Sequence, residues 1–388
     1  MRDFLAKKVK ELKPSGIRKF FDIASSIDDC ISLGVGEPDF DTPWHITEEG
    51  IYSLEKGKTY YTSNAGLKEL REEICLFMQR KYNISYSWNK NVLVTVGGSE
   101  AIDLALRAMV EIGDEVIIPT PCYVSYEPCA VMAGAKVVTI PLKNENEFRL
   151  TPKELEEAIT PKSKILIISY PNNPTGAVMD YDDLKKISEV VIKYDLFVIS
   201  DEIYSELSYL KPHTSIAKLP GMKERTIVIN GFSKAFSMTG WRLGYACGNE
   251  DIIKQMTKIH QFCIMCAPTT SQYAAIEALK YGDTDILDMK NSYDERRRYL
   301  IHRFKEMNLP CFTPAGAFYV FPDIRKYNMT SEEFALRLLN EEHVVVVPGS
   351  AFGDSGEGFI RISYAYSLLE LKKALNRLEN FIRKLDSK

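Results

Sequence analysis

Six short apolar runs, separated by longer stretches that contain charged residues, dominate the middle of this 388-residue chain. The runs are rich in Val and Ile and occupy residues 92–96, 116–119, 136–140, 164–169, 196–200 and 226–230. Runs without polar alternation are typical of strands buried on both faces of a mostly parallel sheet. Between the first two runs, apolar residues recur at helical spacing at Ile102, Ala105, Leu106 and Met109. The alternation predicts an α/β fold with helices on both faces of the sheet.

The pattern changes after residue 290 or so, where a charged segment at 294–307 precedes three further apolar runs at 317–321, 343–347 and 358–363. The last segment predicts a helix with one apolar face, formed by Leu371, Leu375, Leu378, Ile382 and Leu385. Strands mixed with helices in a shorter stretch indicate a smaller α+β domain. We therefore assign residues 46–289 to a large domain, and residues 1–45 together with 290–388 to a small one.

The composition gives no support for nucleic acid or a membrane as a partner. Lys and Arg number 49 against 53 Asp and Glu, so the formal charge of −4 gives no reason to expect nucleic acid or an anionic membrane as partner. No continuous apolar run reaches the length of a membrane span. Eight scattered cysteines suit a reducing compartment, and cytoplasm is the expected location. For Cys263 and Cys266, with His260 nearby, we favour structural thiols over a metal or redox site, and we expect no metal.

The segment 231–244, GFSKAFSMTGWRLG, directly follows the run at 226–230. Ser233 and Lys234 therefore lie at the carboxyl end of a predicted strand, where α/β sheets bind ligands. A lysine in this position can form a Schiff base with an aldehyde once its surroundings lower its pKa. Arg242 adds a planar fork that suits a phosphate. Alone, Lys234 would be a solvated charge and Arg242 an ion-pair partner; together they indicate a cofactor site.

Other polar motifs follow other predicted strands. Each has an ordinary interpretation: Asp201 as a helix cap, the loop 171–176 (PNNPTG) as a turn, Ser99 in GGSE as an N-cap and Tyr123 as a core aromatic. The GGSE glycines would also expose backbone amides at a helix N-terminus, where an anion can bind. Arg361 is a charge in the apolar run at 358–363, and burying a charge is costly unless it is paired.

Together these motifs resemble class I pyridoxal-phosphate aminotransferases of fold type I, and the resemblance extends from Pro14 to the final helix. It is strongest to the branch containing prokaryotic aspartate, aromatic and N-acetyl-diaminopimelate aminotransferases. The resemblance implies a mostly parallel sheet of the seven-stranded type, pyridoxal 5′-phosphate as cofactor, and a homodimer. It also implies that Lys234 holds the cofactor as an aldimine and becomes the general base when the substrate displaces it.

The resemblance assigns further roles residue by residue. It implies that the cofactor ring is contacted by Asp201 at its nitrogen, by Tyr204 and Asn173 at its oxygen, and by the stacked ring of Tyr123. The cofactor phosphate would be bound by Gly98, Ser99, Glu100, Ser233 and Arg242. The substrate α-carboxylate would be bound by Arg361, Asn173 and Gly36. Tyr61, or its neighbour Tyr60, would reach the phosphate of the cofactor that is bound in the partner subunit. Lys234, Asp201 and Tyr204 are thus the expected catalytic residues.

The expected reaction is ping-pong transamination between an L-amino acid and a 2-oxo acid such as 2-oxoglutarate. Some aspartate-specific relatives have a lysine at the position of Ser99, so the sequence leaves an aromatic donor, aspartate and an N-acetyl-diaminopimelate-like donor open. A pyridoxal-phosphate β-lyase or decarboxylase on the same fold is an alternative within enzymes. A non-catalytic ligand sensor is a further alternative, although no DNA-binding extension supports it.

Overall fold

The computed structural model of the protein describes residues 3–12, 16 and 29–387. Pro14, where the resemblance begins, and most of the region between residues 13 and 28 lie outside the described residues. The helices that it contains are α1 Lys7–Glu11, α2 Trp44–Glu55, α3 Lys68–Tyr82, α4 Gly97–Met109, α5 Tyr126–Ala133, α6 Pro152–Ala158, α7 Tyr181–Lys193, α8 Glu250–Cys263, α9 Thr269–Tyr281, α10 Asp283–Glu306, α11 Ser331–Glu342 and α12 Leu368–Asp386. Capping boxes at Thr151, Asp180 and Thr330 begin α6, α7 and α11.

The strands form one large and two small sheets. They are β1 Ile31–Ser32, β2 Val92–Thr95, β3 Glu115–Thr120, β4 Lys136–Pro141, β5 Ser163–Ser169, β6 Phe197–Asp201, β7 Thr226–Gly231, β8 Gly244–Cys247, β9 Tyr319–Val320, β10 Val344–Val345, β11 Val347–Pro348 and β12 Ile360–Ser363. The large sheet has seven strands in the order β2-β8-β7-β6-β5-β3-β4. Six of these strands run in the same direction, and β8 runs antiparallel to them. This confirms the predicted α/β class and mostly parallel sheet.

Successive side chains of a strand point to opposite faces of the sheet, and both faces are covered. In β2, Val94 packs with Phe77 of α3 in one apolar cluster. The preceding residue, Leu93, packs with Ala105 of α4 in another. Each apolar side chain that is buried on either face contributes about 1.5–3 kcal/mol to the stability of the fold. The prediction of helices on both faces is thereby confirmed.

Strand β4 corrects one detail of the sequence analysis. We predicted that the run at 136–140 is buried on both faces, but only Ile140 of Lys136–Pro141 is fully buried. The reason is its place in the sheet, since β4 is an edge strand that pairs only with β3. Strand β8 was not predicted, because its four residues, GYAC, form no β-branched run.

Helix α10 joins the large sheet to the smaller elements. Ile286, near its start, packs in the cluster of Phe77, whereas Leu300 and Phe304 pack with the small sheets and α12. The helix is continuous through residue 290, where we placed the domain boundary; that boundary stays a prediction. The predicted face of α12 lies inward, with Leu371, Leu375, Leu378 and Ile382 at most 1% exposed.

The parallel strands place the site. Because β2, β3, β5, β6 and β7 run in the same direction, their carboxyl ends meet at one edge of the large sheet. The segments that follow these ends contain Gly98, Tyr123, Asn173, Tyr204 and Lys234. Residues distant in sequence therefore converge on one edge, as is usual for ligand sites of α/β sheets.

Candidate active site

A cavity of about 310 Å³ lies at this edge, between the large sheet and the elements that follow residue 316. It is lined by most of the residues predicted for the site, namely Gly36, Gly98, Ser99, Tyr123, Asn173, Asp201, Tyr204, Ser233, Lys234, Arg242 and Arg361. Val35, Ile102, Tyr126, Ile203 and Tyr319 also contribute to the wall. Glu100 and Tyr61, which were predicted for the same site, do not line it.

Lys234 extends from the end of β7 into the cavity. Its amine donates a hydrogen bond to the carbonyl oxygen of Gly36 at 2.6 Å and lies 5.7 Å from the centre of the Phe318 ring. Burial lowers the pKa of Lys234 to about 8, the charges of Arg361 and Arg242 act in the same direction, and Glu37 opposes them. The lowered pKa increases the neutral fraction of this amine near physiological pH, and the neutral form is the one that acts as a nucleophile or proton acceptor.

Asp201, at the end of β6, is a buried carboxylate in the same cavity. Tyr126 donates a hydrogen bond to its Oδ2 at 2.6 Å, and the backbone amide of Ile203 donates to Oδ1 at 3.1 Å. Burial nevertheless raises the pKa of Asp201, although the charge of Lys234 acts in the opposite direction, which is the expected result for a buried carboxylate without an ion-pair partner among the described residues. Sequence reasoning missed Tyr126, because a tyrosine at the start of a helix carries no signal for a partner 75 residues away.

Arg361 is a buried guanidinium on β12, and only 3% of it is exposed. Its Nη1 donates to Asn173 Oδ1 at 2.9 Å and its Nη2 to the Gly34 carbonyl at 2.5 Å. Its Nε has no partner among the described residues, and none of their carboxylates pairs with it. A buried cation that is held only by neutral oxygens is a receptor for an anion.

The amino end of α4 forms another corner of the cavity. Its first amides have no intrahelical acceptor, and the helix dipole favours an anion there. Gly97 has a φ of +77°, and a Cβ atom at this position would lie 2.7 Å from Arg242 Nη2. Glycine therefore lets the Arg242 guanidinium approach the helix start, where Ser99 also lies. The corner combines backbone donors, a hydroxyl and a cation.

Glu100 and Tyr61 lie elsewhere. The Glu100 carboxylate accepts hydrogen bonds from the Val96 amide at 2.5 Å and bonds to Nδ1 of the buried His260 at 2.7 Å. This side chain thus points away from the cavity, and a carboxylate beside a phosphate would repel it in any case. Tyr60 and Tyr61 are 81% and 82% exposed on a loop outside the wall of this cavity.

Comparison with known proteins decides the family. The profile described as "Aminotransferase class I and II" matches residues 28–378. The chain belongs to this family. Its reaction is therefore transamination, the transfer of an amino group between an amino acid and a 2-oxo acid, and enzymes of this family depend on pyridoxal phosphate.

Individual relatives match along nearly the full aminotransferase chain. A putative aminotransferase of Bacillus subtilis is 50% identical over 99% of this chain and 100% of its own. An aspartate aminotransferase of Pyrococcus abyssi is 47% identical over 96% of both chains. The crystal structure of an aromatic aminotransferase from Pyrococcus horikoshii has a TM-score of 0.91 at 45% identity, covering 95% of this chain and 100% of its own. Other relatives carry aspartate, aromatic and N-acetyl-diaminopimelate aminotransferase names.

The charges of the aminotransferase cavity fit pyridoxal phosphate. The buried Asp201 forms no ion pair with any described residue, and a protonated ring nitrogen would supply the missing partner. The α4 corner with Arg242 offers donors for a phosphate. The partly neutral amine of Lys234 can react with an aldehyde. Arg361, with its free Nε, is left for a carboxylate of the substrate.

No helix among the described residues combines the length with the apolar character needed to cross a membrane. In the same part of the chain, no three His, Cys, Asp or Glu side chains group as a metal site would require.

Proposed function

We propose that Lys234 binds pyridoxal phosphate covalently and serves as the proton-transfer base of transamination in this cavity. The observation that carries the proposal is that one cavity contains a partly neutral amine, Lys234, and a buried carboxylate, Asp201, that forms no ion pair with any described residue. A structural ion pair would not require a cavity between its members. A cofactor with a cationic ring nitrogen and an electrophilic carbon requires both groups.

The remaining cofactor contacts follow from the wall. Gly98, Ser99, Ser233 and Arg242 hold the phosphate, with the amides at the start of α4 and the Arg242 guanidinium as donors. Asp201 keeps a proton on the ring nitrogen, while Tyr126 orients its carboxylate. Tyr204 and Asn173, which also line the cavity, would hold the ring oxygen, and the ring of Tyr123 would hold the cofactor ring. For Glu100 we retain only its backbone amide as a possible phosphate donor, since its carboxylate is bound to His260.

The proton step belongs to Lys234. Pyridoxal phosphate, when bound, supplies an electron-withdrawing ring that stabilises negative charge at the substrate α-carbon. Arg361 and Asn173 bind the α-carboxylate and thereby fix the direction of the α-hydrogen. The neutral Lys234 amine would accept this proton and, once protonated, would be the acid that gives it back. The same groups serve both half-reactions, so the kinetics is ping-pong.

The wall also favours one class of amino donor. Its cations are Lys234, Arg242 and Arg361, and all three have been assigned to the cofactor or to the α-carboxylate. Within the described residues of this wall, none remains for a second carboxylate, whereas the apolar side chains of Val35, Ile102 and Ile203 have no other assigned role. We therefore propose an aromatic donor in preference to aspartate. The same reasoning predicts a lower KM for phenylpyruvate than for 2-oxoglutarate as the acceptor.

A donor panel tests the function and its class together. The purified protein is first incubated with pyridoxal phosphate. Four amino donors are then compared, each with 2-oxoglutarate as the acceptor: phenylalanine, tyrosine, aspartate and an N-acetylated diamino acid. We expect visible absorbance that an amino acid alone bleaches, parallel-line kinetics, and the highest kcat/KM for an aromatic donor. Pyruvate and ammonia released from a cysteine-like substrate without an acceptor would identify a β-lyase. Cofactor absorbance that no amino acid bleaches would identify a binding protein.

A homodimer would place Tyr61 at the cofactor of the partner subunit. The exposed tyrosine loop lies beside the loop after α8, since Asn64 Nδ2 donates to the Met265 carbonyl at 2.9 Å and Thr269 Oγ1 to the Tyr60 carbonyl at 2.8 Å. Large apolar side chains are exposed on these neighbouring segments, since Phe262 at the end of α8 is 82% exposed, as is Tyr61. Exposed apolar patches of this kind mark association surfaces.

Tyr61 and Tyr60 form a matched pair for testing the dimer. We expect a two-chain mass by light scattering. We also expect Tyr61→Phe to lose pyridoxal phosphate on dialysis several-fold faster than the wild type, because one phosphate hydrogen bond is removed. Tyr60→Phe should behave as the wild type. The reverse result would transfer the role to Tyr60, and a monomeric active enzyme would contradict the dimer.

A further inference from the structure

Tyr319 is a buried tyrosine of β9 that contacts two predicted functional residues from opposite parts of the site. It is 1% exposed and lies in the cavity wall. Its hydroxyl is 2.7 Å from the hydroxyl of Tyr204. Its ring lies under the Arg361 guanidinium, whose Cζ is 4.5 Å from the ring centre. The centre of the Phe352 ring is 4.8 Å from the same Cζ atom, so two aromatic rings contact the Arg361 guanidinium.

The backbone near Tyr319 leaves space for its hydroxyl. A Cβ atom at Gly36 would lie 2.2 Å from Tyr319 Oη, so any larger residue at position 36 would displace the hydroxyl. Tyr204 Oη has no hydrogen-bond partner among the described residues other than Tyr319. Among the described residues, neither hydroxyl of this pair has a further hydrogen-bond partner, and both tyrosines line the cavity.

Hydroxyl chemistry gives this pair a direction. Each phenol has one proton to donate. If Tyr204 donates to an oxygen in the cavity, its own oxygen can accept only from Tyr319. Hydrogen bonds arranged in such a chain polarise one another, so the donor at the end of the chain becomes stronger. The other ionisable groups around the pair are Arg361 and Asp201, with Tyr123 and Lys234 in the same wall.

We propose that Tyr319 is a positioning residue that acts through two contacts: its hydroxyl directs and strengthens the hydrogen bond that Tyr204 donates to the ring oxygen of the cofactor, and its ring holds the Arg361 guanidinium for the substrate carboxylate. The proposal rests on the proposed function, since Tyr204 and Arg361 have their roles there. It adds a residue that couples the two roles. Sequence reasoning saw Tyr319 only as one residue of the apolar run at 317–321.

Two substitutions separate the two contacts in the holoenzyme. Tyr319→Phe removes the hydroxyl and keeps the ring, whereas Tyr319→Leu removes both. The visible absorbance of the bound cofactor changes with pH as the cofactor gains or loses a proton. A hydrogen-bond donor to the ring oxygen stabilises the deprotonated form and therefore lowers the pH midpoint of this change. We expect Tyr319→Phe to raise the pH midpoint of this absorbance by roughly 0.5–1 unit, less than Tyr204→Phe does. It should lower kcat several-fold and leave the Kd of 3-phenylpropionate, a non-reacting carboxylate, within twofold of the wild type.

Tyr319→Leu should produce the same midpoint shift and also weaken 3-phenylpropionate roughly 3–10-fold, because the cation–π contact is lost. Tyr364→Phe is the matched control, since Tyr364 is equally buried but donates to the Ala317 carbonyl at 3.0 Å, outside the cavity wall. An unchanged midpoint in Tyr319→Phe, or an equal shift in Tyr364→Phe, would overturn the proposal. Wild-type protein that acquires no cofactor absorbance would instead refute the proposed function. Should Tyr319→Leu fail to fold, Tyr319→Phe still decides the hydroxyl contact.

Discussion

Two consecutive carboxylates at the end of β6 have opposite surroundings. Asp201 and Glu202 are 6% and 1% exposed, so both are buried. Neighbouring residues of a strand point to opposite sides, and only Asp201 lines the cavity. On the other side, Glu202 is bonded to Ser200 Oγ at 2.8 Å, Ser215 Oγ at 2.7 Å and His213 Nε2 at 3.0 Å.

The difference distinguishes stability from function. A buried charge that the protein satisfies completely stabilises or specifies the fold, because removing a partner leaves an unpaired group. A charge in a cavity that is bonded to neutral groups but has no oppositely charged partner within ion-pair distance carries a cost that a bound ligand can relieve. By this criterion Asp201, Lys234 and Arg361 belong to the site, whereas Glu202 and His213 belong to the scaffold. The predictions below test that division.

The largest expected difference between a residue of the site and a residue of the scaffold is between two lysines. Lys234 is in the cavity, whereas Lys81 is paired with Glu206 at 3.2 Å and Asp283 at 3.0 Å. We expect Lys234→Ala to lower kcat at least about 10³-fold, because it removes the proton-transfer base, without lowering the melting temperature of the cofactor-free protein. Lys81→Ala should lower that temperature slightly and leave kcat unchanged. Steady-state kinetics and calorimetry measure both. Substantial turnover by Lys234→Ala would refute its assigned role.

The adjacent carboxylates give the next largest effect. Asp201→Asn should lower kcat about 10–100-fold, because it removes a charge-assisted bond to the ring nitrogen that contributes about 1.5–3 kcal/mol. Its free energy of unfolding without cofactor should stay equal or increase. Glu202→Gln should instead cost about 1–3 kcal/mol of unfolding free energy, since it disturbs a satisfied buried network, and change kcat less. If the two substitutions gave the same pattern, the division between site and scaffold would be wrong.

The smallest effect is on the pH dependence of stability. Burial lowers the pKa of His45, but hydrogen bonds to Glu277 and Asp285 outweigh it, so the net pKa is raised above 6.5. The stability from this histidine is present below pH 6.5 and is lost as pH rises through the raised pKa. Lys234 has the opposite sign, because its pKa falls from 10.5 to about 8 and the unfolded chain binds more protons between these values.

Chemical denaturation of the cofactor-free protein at several pH values measures both slopes. His45→Gln should remove the decrease that begins above pH 6.5, and Lys234→Met should remove the increase between pH 8 and 10.5. Slopes that persist unchanged in both variants would show that other groups dominate.

The sequence predicts some parts of the molecule better than others for physical reasons. Parallel strands of a central sheet need apolar runs, so all six runs between residues 92 and 230 appear as strands, while the short β8 carries no such signal. The convergence of Asn173, Asp201 and Lys234 follows from the parallel order alone. The direction of a side chain does not: Glu100 follows the glycines of the anion corner, yet its carboxylate bonds to His260, 160 residues away. Long-range partners of this kind, and those of Tyr126 and Tyr319, leave no local pattern.

Helix α10 has a consequence for how the molecule melts. Its 24 residues span roughly 36 Å, and it contributes Ile286 to the apolar cluster of the large sheet and Phe304 to that of the small sheets. Neither cluster can lose this helix without exposing part of the other. The unfolding free energies of the two clusters are therefore coupled through α10. This coupling favours a single cooperative unfolding transition over two separate ones.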